Sequence, residues 1–170
     1  IVILKFNSMG VRQWATHYGG NNQDRGREIK ITSSGDIFVT GVTKSPDFPT
    51  FDAGNGAFFQ ANGPSNNQYD MFVLRFDQNG NRKWATYFGG NHKDISNAIE
   101  ISNNGEIYLV GHSRSSNFPT LDAGNGSYFQ PNNLGSDDVV VVKFNSGMQL
   151  EWSTFFGESG QEQGKDIELL

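Results

Sequence analysis

An internal repeat of 68–70 residues constrains the fold of this chain more than any other feature of its sequence. Trp14, Trp84 and Trp152 open the same short phrase, and they stand 70 and 68 positions apart. The motif Asp-Ala-Gly-Asn-Gly at 52–56 returns in the same register at 122–126. A period of this length is typical of a supersecondary unit that buries its apolar face against neighbouring copies. Residues present in every copy are therefore expected to build the copy.

Each repeat has the pattern of four short β-strands. In the second copy, runs rich in β-branched and aromatic residues predict strands at 97–102, 106–113, 138–145 and 149–156. Tight turns with Gly and Asn join these strands in pairs, whereas the long segment 114–137 joins the second strand to the third. Four antiparallel strands in each unit, repeated radially, predict β-propeller blades. The expected fold class is all-β: four-stranded antiparallel sheets repeated every 68–70 residues in a partial propeller.

Short and long connections alternate along the chain. In an up-and-down sheet, we therefore expect the long loops 44–69 and 114–137 at one end of the blades and the tight turns at the other. Loops on a rigid scaffold are common binding sites. The alternative is that each long loop only covers a neighbouring blade, and the sequence leaves both interpretations open.

The copies resemble the SBBP-type β-propeller repeat. The resemblance includes the Gly-Gly pair at 19–20, the stretch 29–41 and the segment Ser-Pro-Asp-Phe-Pro-Thr at 45–50, all of which recur in the second copy. The third copy departs from the pattern, because Glu158 stands in place of the second Gly. The resemblance implies a propeller of about seven blades in a large secreted or surface-attached bacterial protein, often of the gliding, type IX-secreting kind. It implies no catalytic residues.

The resemblance also implies how the chain divides. The strand at 97–102 would be innermost and Trp152 would lie on the outermost strand. The expected parts are the outer strands of one blade at 1–20, a blade at 21–90, a blade at 91–158 and the inner strand of the next blade at 159–170. We interpret the chain as a piece of a longer protein. Its end faces should expose Val, Ile and Phe unless the remaining blades of the same propeller or another chain cover them.

The net charge of −5 argues against nucleic acid and anionic membranes as partners. No apolar run approaches the ~18 residues that a membrane-spanning helix needs, so membrane insertion is not expected. Cysteine is absent, which excludes a disulfide framework and thiolate metal sites.

The Asp-Ala-Gly-Asn-Gly loops are weak calcium candidates. Calcium prefers carboxylate and carbonyl oxygens, which Asp52, Asn55, Asp122 and Asn125 offer. Each loop has a single carboxylate, however, and Asp and Asn also stabilise turns by themselves. We therefore expect no cofactor. The three histidines, His17, His92 and His112, have no spacing that suits zinc.

The sequence predicts a non-catalytic structural or binding scaffold. The acids Asp24, Asp94 and Glu162 occur once in each copy, as repeated loop anchors would, and Lys30, Glu100 and Glu168 share one repeated position. The alternative is a part of a glycan-active propeller enzyme whose catalytic residues lie in blades outside this sequence.

Differences between the copies indicate where recognition is expected. Loop 61–69 is replaced by the shorter 131–137, and Lys44 is replaced by Arg114. The candidate contacts with a protein or glycan partner are Lys44, Tyr69, Arg114 and Leu134.

Overall fold

The computed structural model describes residues 1–64 and 67–170, which form ten β-strands in three antiparallel sheets. The strands are β1 (Val2–Phe6), β2 (Arg12–His17), β3 (Asp24–Ile31), β4 (Ile37–Thr43), β5 (Asp70–Phe76), β6 (Arg82–Phe88), β7 (Asp94–Ile101), β8 (Ile107–Ser113), β9 (Asp138–Phe144) and β10 (Leu150–Phe156). Within the described ranges, no helix is long and apolar enough to cross a membrane.

Two of the sheets have four strands each and repeat the same register. Strands β3–β6 form the first blade, β7–β10 form the second blade, and β1–β2 form the N-terminal hairpin. Ile37 pairs with Phe76 in the first blade as Ile107 pairs with Phe144 in the second. The first strand of each blade carries a bulge at the equivalent place. The predicted fold class is therefore confirmed.

The predicted strand at 97–102 begins earlier than expected, at Asp94. Asp94 and Ile95 already pair with Ser113 and His112 of β8. A polar residue at the start of a strand weakens the hydrophobic pattern, so the sequence pattern did not include these residues. The other three strands of the second blade agree closely with their predicted ranges.

The two blades pack face to face through one continuous apolar cluster. Its buried members are Phe38, Met71, Val73, Trp84 and Phe88 from the first blade and Ile99, Ile107, Leu109, Phe118, Val140, Val142, Phe144, Met148 and Phe155 from the second. Trp84 is fully buried, and its ring meets that of Phe144 edge-on with 5.5 Å between the ring centroids. Burial of each large apolar side chain stabilises the fold by about 1.5–3 kcal/mol. Trp84 packs between blades, as its recurrence in every copy predicts.

Polar contacts also join the first strands of the two blades. Lys30 Nζ donates to Glu100 Oε2 across the interface at 2.6 Å, and Glu28 Oε2 accepts a hydrogen bond from the Ile99 amide at 2.6 Å. The opposite charges at the repeated position of Lys30 and Glu100 therefore pair between blades. Because both side chains are partly exposed, the ion pair contributes at most about 1 kcal/mol, and the apolar cluster dominates.

The middle of each long loop runs along the outer edge strand of its own blade. Phe51 forms an antiparallel bridge with Ala85 of β6, and Leu121 forms the equivalent bridge with Ser153 of β10. The tip of the first loop reaches the tight turns of the second blade, where Gln149 Nε2 donates to a backbone carbonyl of the loop at 3.2 Å. The expectation that the whole loop gathers at one end is wrong for this tip, because the loop protects the unpaired edge of the sheet.

The outer faces of the assembly remain apolar and open. Ile3 and Tyr18 bury one side of the hairpin against the first blade. Val2, Leu4 and Phe6 on the other side of the hairpin are exposed. At the opposite end of the described structure, the outer face of the second blade exposes apolar side chains as well. The sequence predicted such exposure for the end faces.

Residues 159–170, expected to be an inner strand, form no strand. Gln161 makes an isolated parallel bridge to Asp137, and the Gly164 amide donates to the carbonyl of Gly111 at 3.1 Å. A strand requires a neighbour to pair with, and no other described residue lies beside this segment in a ladder. The division at 1–20, 21–90, 91–158 and 159–170 stays a prediction.

Two equivalent tryptophans provide a matched test of blade packing. Trp84→Ala should lower the free energy of unfolding by about 3–5 kcal/mol, because it empties a fully buried site. Trp152→Ala should cost much less, since Trp152 lies on the open face and is only partly buried. Urea denaturation of dilute protein measures both changes, and equal losses would contradict this account of the interface.

Candidate functional site

The long-loop end of each blade is organised around one acidic residue. Asp94 is fully buried and accepts hydrogen bonds from the Gly90 amide at 2.7 Å, from Ser115 Oγ at 2.8 Å and from Ser113 Oγ. Asp24 has the equivalent contacts in the first blade. Each acid fixes the Gly-Gly loop that leads into its blade, in agreement with its interpretation as a loop anchor.

A second buried acid lies beside Asp94 at the blade junction. Asp70 is almost fully buried, and its Oδ1 has no hydrogen-bond partner among residues 1–64 and 67–170. A methyl group placed on Gly89 would lie 2.7 Å from Asp94 Oδ2 and 3.1 Å from Asp70 Oδ1, so the two carboxyl groups border the same small space. No local sequence pattern links the two acids, because the pair forms only through the fold.

Burial changes the protonation of this pair. Loss of solvent, and then the charge of Asp94, raises the pKa of Asp70 to about 8. Burial also raises the pKa of Asp94 to about 6, although the hydrogen bonds from Ser113, Gly90 and Ser115 oppose the change. The equivalent of Asp70 in the second blade, Asp138, instead accepts hydrogen bonds from Gln130 Nε2 and two loop amides. The first pair therefore holds a proton at neutral pH.

The pair is closed to substrates. Both side chains lie beneath the loops, and neither carboxyl group reaches solvent to a useful extent. Among residues 1–64 and 67–170, no group of three or more His, Cys, Asp or Glu side chains could hold a metal ion. The pair is therefore suited to a structural role at the junction.

The histidines are dispersed over different elements. His112 is buried on β8 with Nδ1 unpartnered, and burial followed by the charge of Lys93 lowers its pKa to about 4. His17 and His92 are exposed, on β2 and on the loop before β7. The structure brings none of them together.

The Asp-Ala-Gly-Asn-Gly loops form self-contained turns. Asp52 Oδ1 accepts a hydrogen bond from the Gly54 amide at 2.8 Å, and Asp122 Oδ1 accepts one from Gly124 at the same distance. Asn55 and Asn125 both adopt a φ of +54°, which Asn tolerates in turns. The four calcium candidates thus serve turn geometry, and the structure places one carboxylate in each loop.

The predicted contact residues lie at the long-loop end. In the first blade, Lys44 Nζ lies 4.6 Å from the centroid of the Tyr69 ring, a cation–π contact. In the second blade, Arg114 Nη2 pairs with Asp137 Oδ2 at 3.2 Å, and Lys93 Nζ pairs with the same oxygen at 3.1 Å. Two residues of loop 61–69, at positions 65 and 66, lie outside the described residues.

These two contacts occupy equivalent positions. When the copies are aligned on the acids that start β5 and β9, Asp137 stands where Tyr69 stands. When they are aligned on the Phe-Pro-Thr segments at 48–50 and 118–120, Arg114 stands where Lys44 stands. A cation–π contact in one blade is therefore replaced in the other by an ion pair between exposed Arg114 and buried Asp137. The fourth predicted contact residue, Leu134, is 62% exposed. The four predicted contact positions vary between the copies, and three of them, Lys44, Tyr69 and Arg114, have partners within the chain.

At the tight-turn end, the structure places a polar groove of about 390 Å³ between the blades. Lys30, Asp36, Arg75 and Glu100 line it, with hydroxyl and amide side chains from the turns. Arg75 Nη2 pairs with Asp36 Oδ2 at 2.9 Å, and Lys30 pairs with Glu100. These charged side chains thus pair with one another, and the Lys30–Glu100 pair connects the two blades at this end.

Comparison with known proteins agrees with the repeat. Residues 83–119 match the family model for the SBBP β-propeller repeat, which confirms the resemblance. This segment includes most of β6, all of β7 and β8, and the start of the second long loop. A protein of Caulobacter vibrioides with the name "Regulatory protein FlaEY" is 30% identical over 115 residues. The aligned region covers 68% of this chain and 12% of that protein, so the chain corresponds to a small part of its relative's length.

The buried acid pair predicts a pH-dependent stability. Asp70 has a higher pKa in the folded chain, about 8, than its ordinary value of 3.8, so folding favours its protonated form. Its contribution is complete below pH ~4 and is lost as the pH rises toward 8. The urea midpoint should therefore fall between about pH 5 and about pH 8, and Asp70→Asn should flatten this fall. Asp52→Asn, an exposed control, should retain the wild-type slope, and an unchanged slope in Asp70→Asn would contradict the assignment.

Calcium should leave the melting temperature unchanged. Asp52→Ala and Asp122→Ala each remove one turn hydrogen bond, so they should lower the melting temperature equally with calcium and with a chelator. Differential scanning calorimetry under both conditions measures this. A calcium-dependent rise that disappears in both variants would show that the loops bind the ion.

Proposed function

We propose that the chain is a non-catalytic scaffold in a secreted or cell-surface bacterial protein, and that the long-loop end of its blades contacts a protein or glycan partner. The proposal rests on one difference between the blades: the Lys44–Tyr69 contact of the first blade is replaced by the Arg114–Asp137 ion pair in the second. The blade framework is repeated, while the chemistry at this one position differs between blades. A surface that varies on a constant framework is suited to recognition.

Several observations support a role without catalysis. The Asp70–Asp94 pair is buried and holds a proton, and the charged residues of the polar groove pair with one another. The histidine with the most perturbed environment is enclosed in the second blade and is neutral. Each group that might act as a general acid or base in these clusters is thus used in packing or turn formation.

The proposed location rests on the repeat family. Residues 83–119 carry the SBBP repeat, and the resemblance implies secretion or surface attachment. The proposed contact surface consists of Lys44, Tyr69, Arg114 and Leu134. Leu134 is 62% exposed, and Arg114 Nε donates to the Ser136 carbonyl on the same loop at 2.9 Å, so this surface offers both apolar and polar contacts.

Binding to isolated bacterial cell envelopes tests the proposal. The chain should bind immobilised envelopes, and the double variant Lys44→Ala/Leu134→Ala should bind at least about tenfold more weakly. The matched control Ser33→Ala/Asn103→Ala alters two exposed positions in the tight turns and should bind like the wild type. Periodate treatment of the envelopes removes binding if the partner is a glycan, and protease treatment removes it if the partner is a protein. Weakening in the control alone would show that the tight-turn end is the contact surface.

The same envelopes test the absence of catalysis. Incubation with the chain should release neither reducing sugar nor peptide above the level of a buffer control. Release that increases in proportion to protein concentration would contradict the proposal and favour a glycan-active or proteolytic role.

A further inference from the structure

An uncovered apolar surface lies on the outer half of the second blade. Val139, Val141, Trp152 and Phe156 on β9 and β10 line a groove of about 510 Å³, and Tyr128 stands beside Phe156 at 5.5 Å between ring centroids. Phe156 and Tyr128 are each 60% exposed. We call these five residues the back face. An apolar surface of this kind marks an interaction site.

The chain itself shows what covers such a face. Val139, Val141, Trp152 and Phe156 are equivalent to Met71, Val73, Trp84 and Phe88 of the first blade. All four of the latter are buried, because the second blade packs on them. The covering side chains on β9 are Val140, Val142 and Phe144, each fully buried. A back face is thus covered by a strand that presents apolar residues at alternate positions.

The N-terminal hairpin carries the matching surface at the other end of the same chain. Val2, Leu4 and Phe6 on β1 are equivalent to Val140, Val142 and Phe144 on β9. They are 55%, 51% and 53% exposed, while Ile3 between them is buried against the first blade. We call Val2, Leu4 and Phe6 the front face. The front face therefore has the residue spacing that already covers a back face inside this molecule.

The uncovered area also has the size of a hairpin. The segment 159–164 already covers the inner part of the second blade, where Gly164 contacts Gly111 and lies near Val110 and Val139. The outer part, formed by β9 and β10, remains open. In the first blade, the corresponding strands β5 and β6 are covered by the second blade. The open area thus spans the two strands β9 and β10, and the hairpin β1–β2 also has two strands.

We propose that copies of this chain associate head to tail, with the front face of the N-terminal hairpin of one copy docked on the back face of another. The contact reproduces the packing between the first and second blades, with Phe6 near Tyr128 as Phe144 is near Phe58. Such a contact is heterologous, since each copy uses two different surfaces, and it generates closed rings or open filaments.

Single-face variants test whether both surfaces are needed. Sedimentation velocity from about 1 to about 100 µM should show wild-type species that grow with concentration. Leu4→Glu, which blocks the front face, and Phe156→Glu, which blocks the back face, should each be monomeric at 18.8 kDa. Asn103→Glu introduces the same charge at an exposed position of a tight turn, outside both faces, and should associate like the wild type. Melting curves verify that the exposed substitutions leave the blades folded.

A mixture of the two blocked variants provides the decisive measurement. Leu4→Glu retains an unaltered back face, and Phe156→Glu retains an unaltered front face. The two variants should therefore form a one-to-one dimer that grows no further. A wild type that stays monomeric over the whole range would overturn the proposal. A blocked variant that still associates alone, or a mixture that stays monomeric, would also overturn it, because the faces would then pair in another way or with another partner.

Discussion

The face-to-face burial of one β-blade against another is the interaction on which this structure depends. A four-stranded sheet has two apolar faces and cannot bury both by itself. The cluster around Trp84 and Phe144 joins the first blade to the second, and Ile3 and Tyr18 attach the N-terminal hairpin to the opposite face of the first blade. The ion pair of Lys30 and Glu100 adds a polar contact between the two blades. The same requirement explains why the end faces remain apolar where the described residues leave them uncovered.

Edge protection determines the course of the long loops. Strands β6 and β10 are the last strands of their sheets, and a free edge would pair with other chains. The bridges of Phe51 to Ala85 and of Leu121 to Ser153 cover these edges. Much of the aromatic content of the loops is therefore used in packing, and Phe48 and Phe118 are buried. Recognition, if located on these loops, depends on the few side chains that differ between the copies.

The blade junctions show how one repeated position supports different chemistry. Asp70 and Asp138 start equivalent strands. Asp70 borders Asp94 with its Oδ1 unpartnered among the described residues, whereas Asp138 accepts several hydrogen bonds. Likewise, the cation–π contact of Lys44 corresponds to the ion pair of Arg114. In both cases the backbone is constant and the neighbouring loop determines the environment. Variation in loop length and composition therefore changes charge and protonation without changing the blade.

The sequence by itself determined the period, the four strands per blade and the packing role of Trp84, because these depend on local hydrophobic alternation and on a spacing that repeats. The tertiary structure decided which groups meet. Asp70 and Asp94 lie in different blades, and no local pattern shows that they share a buried space. Three further features depend on how the sheets stack. They are the contact of the loop that contains Asp52 with the next blade, the partners of Lys44 and Arg114, and the burial of Val142 where its equivalent Leu4 is exposed. Local propensity acts over a few residues, whereas burial and protonation depend on contacts between residues distant in sequence.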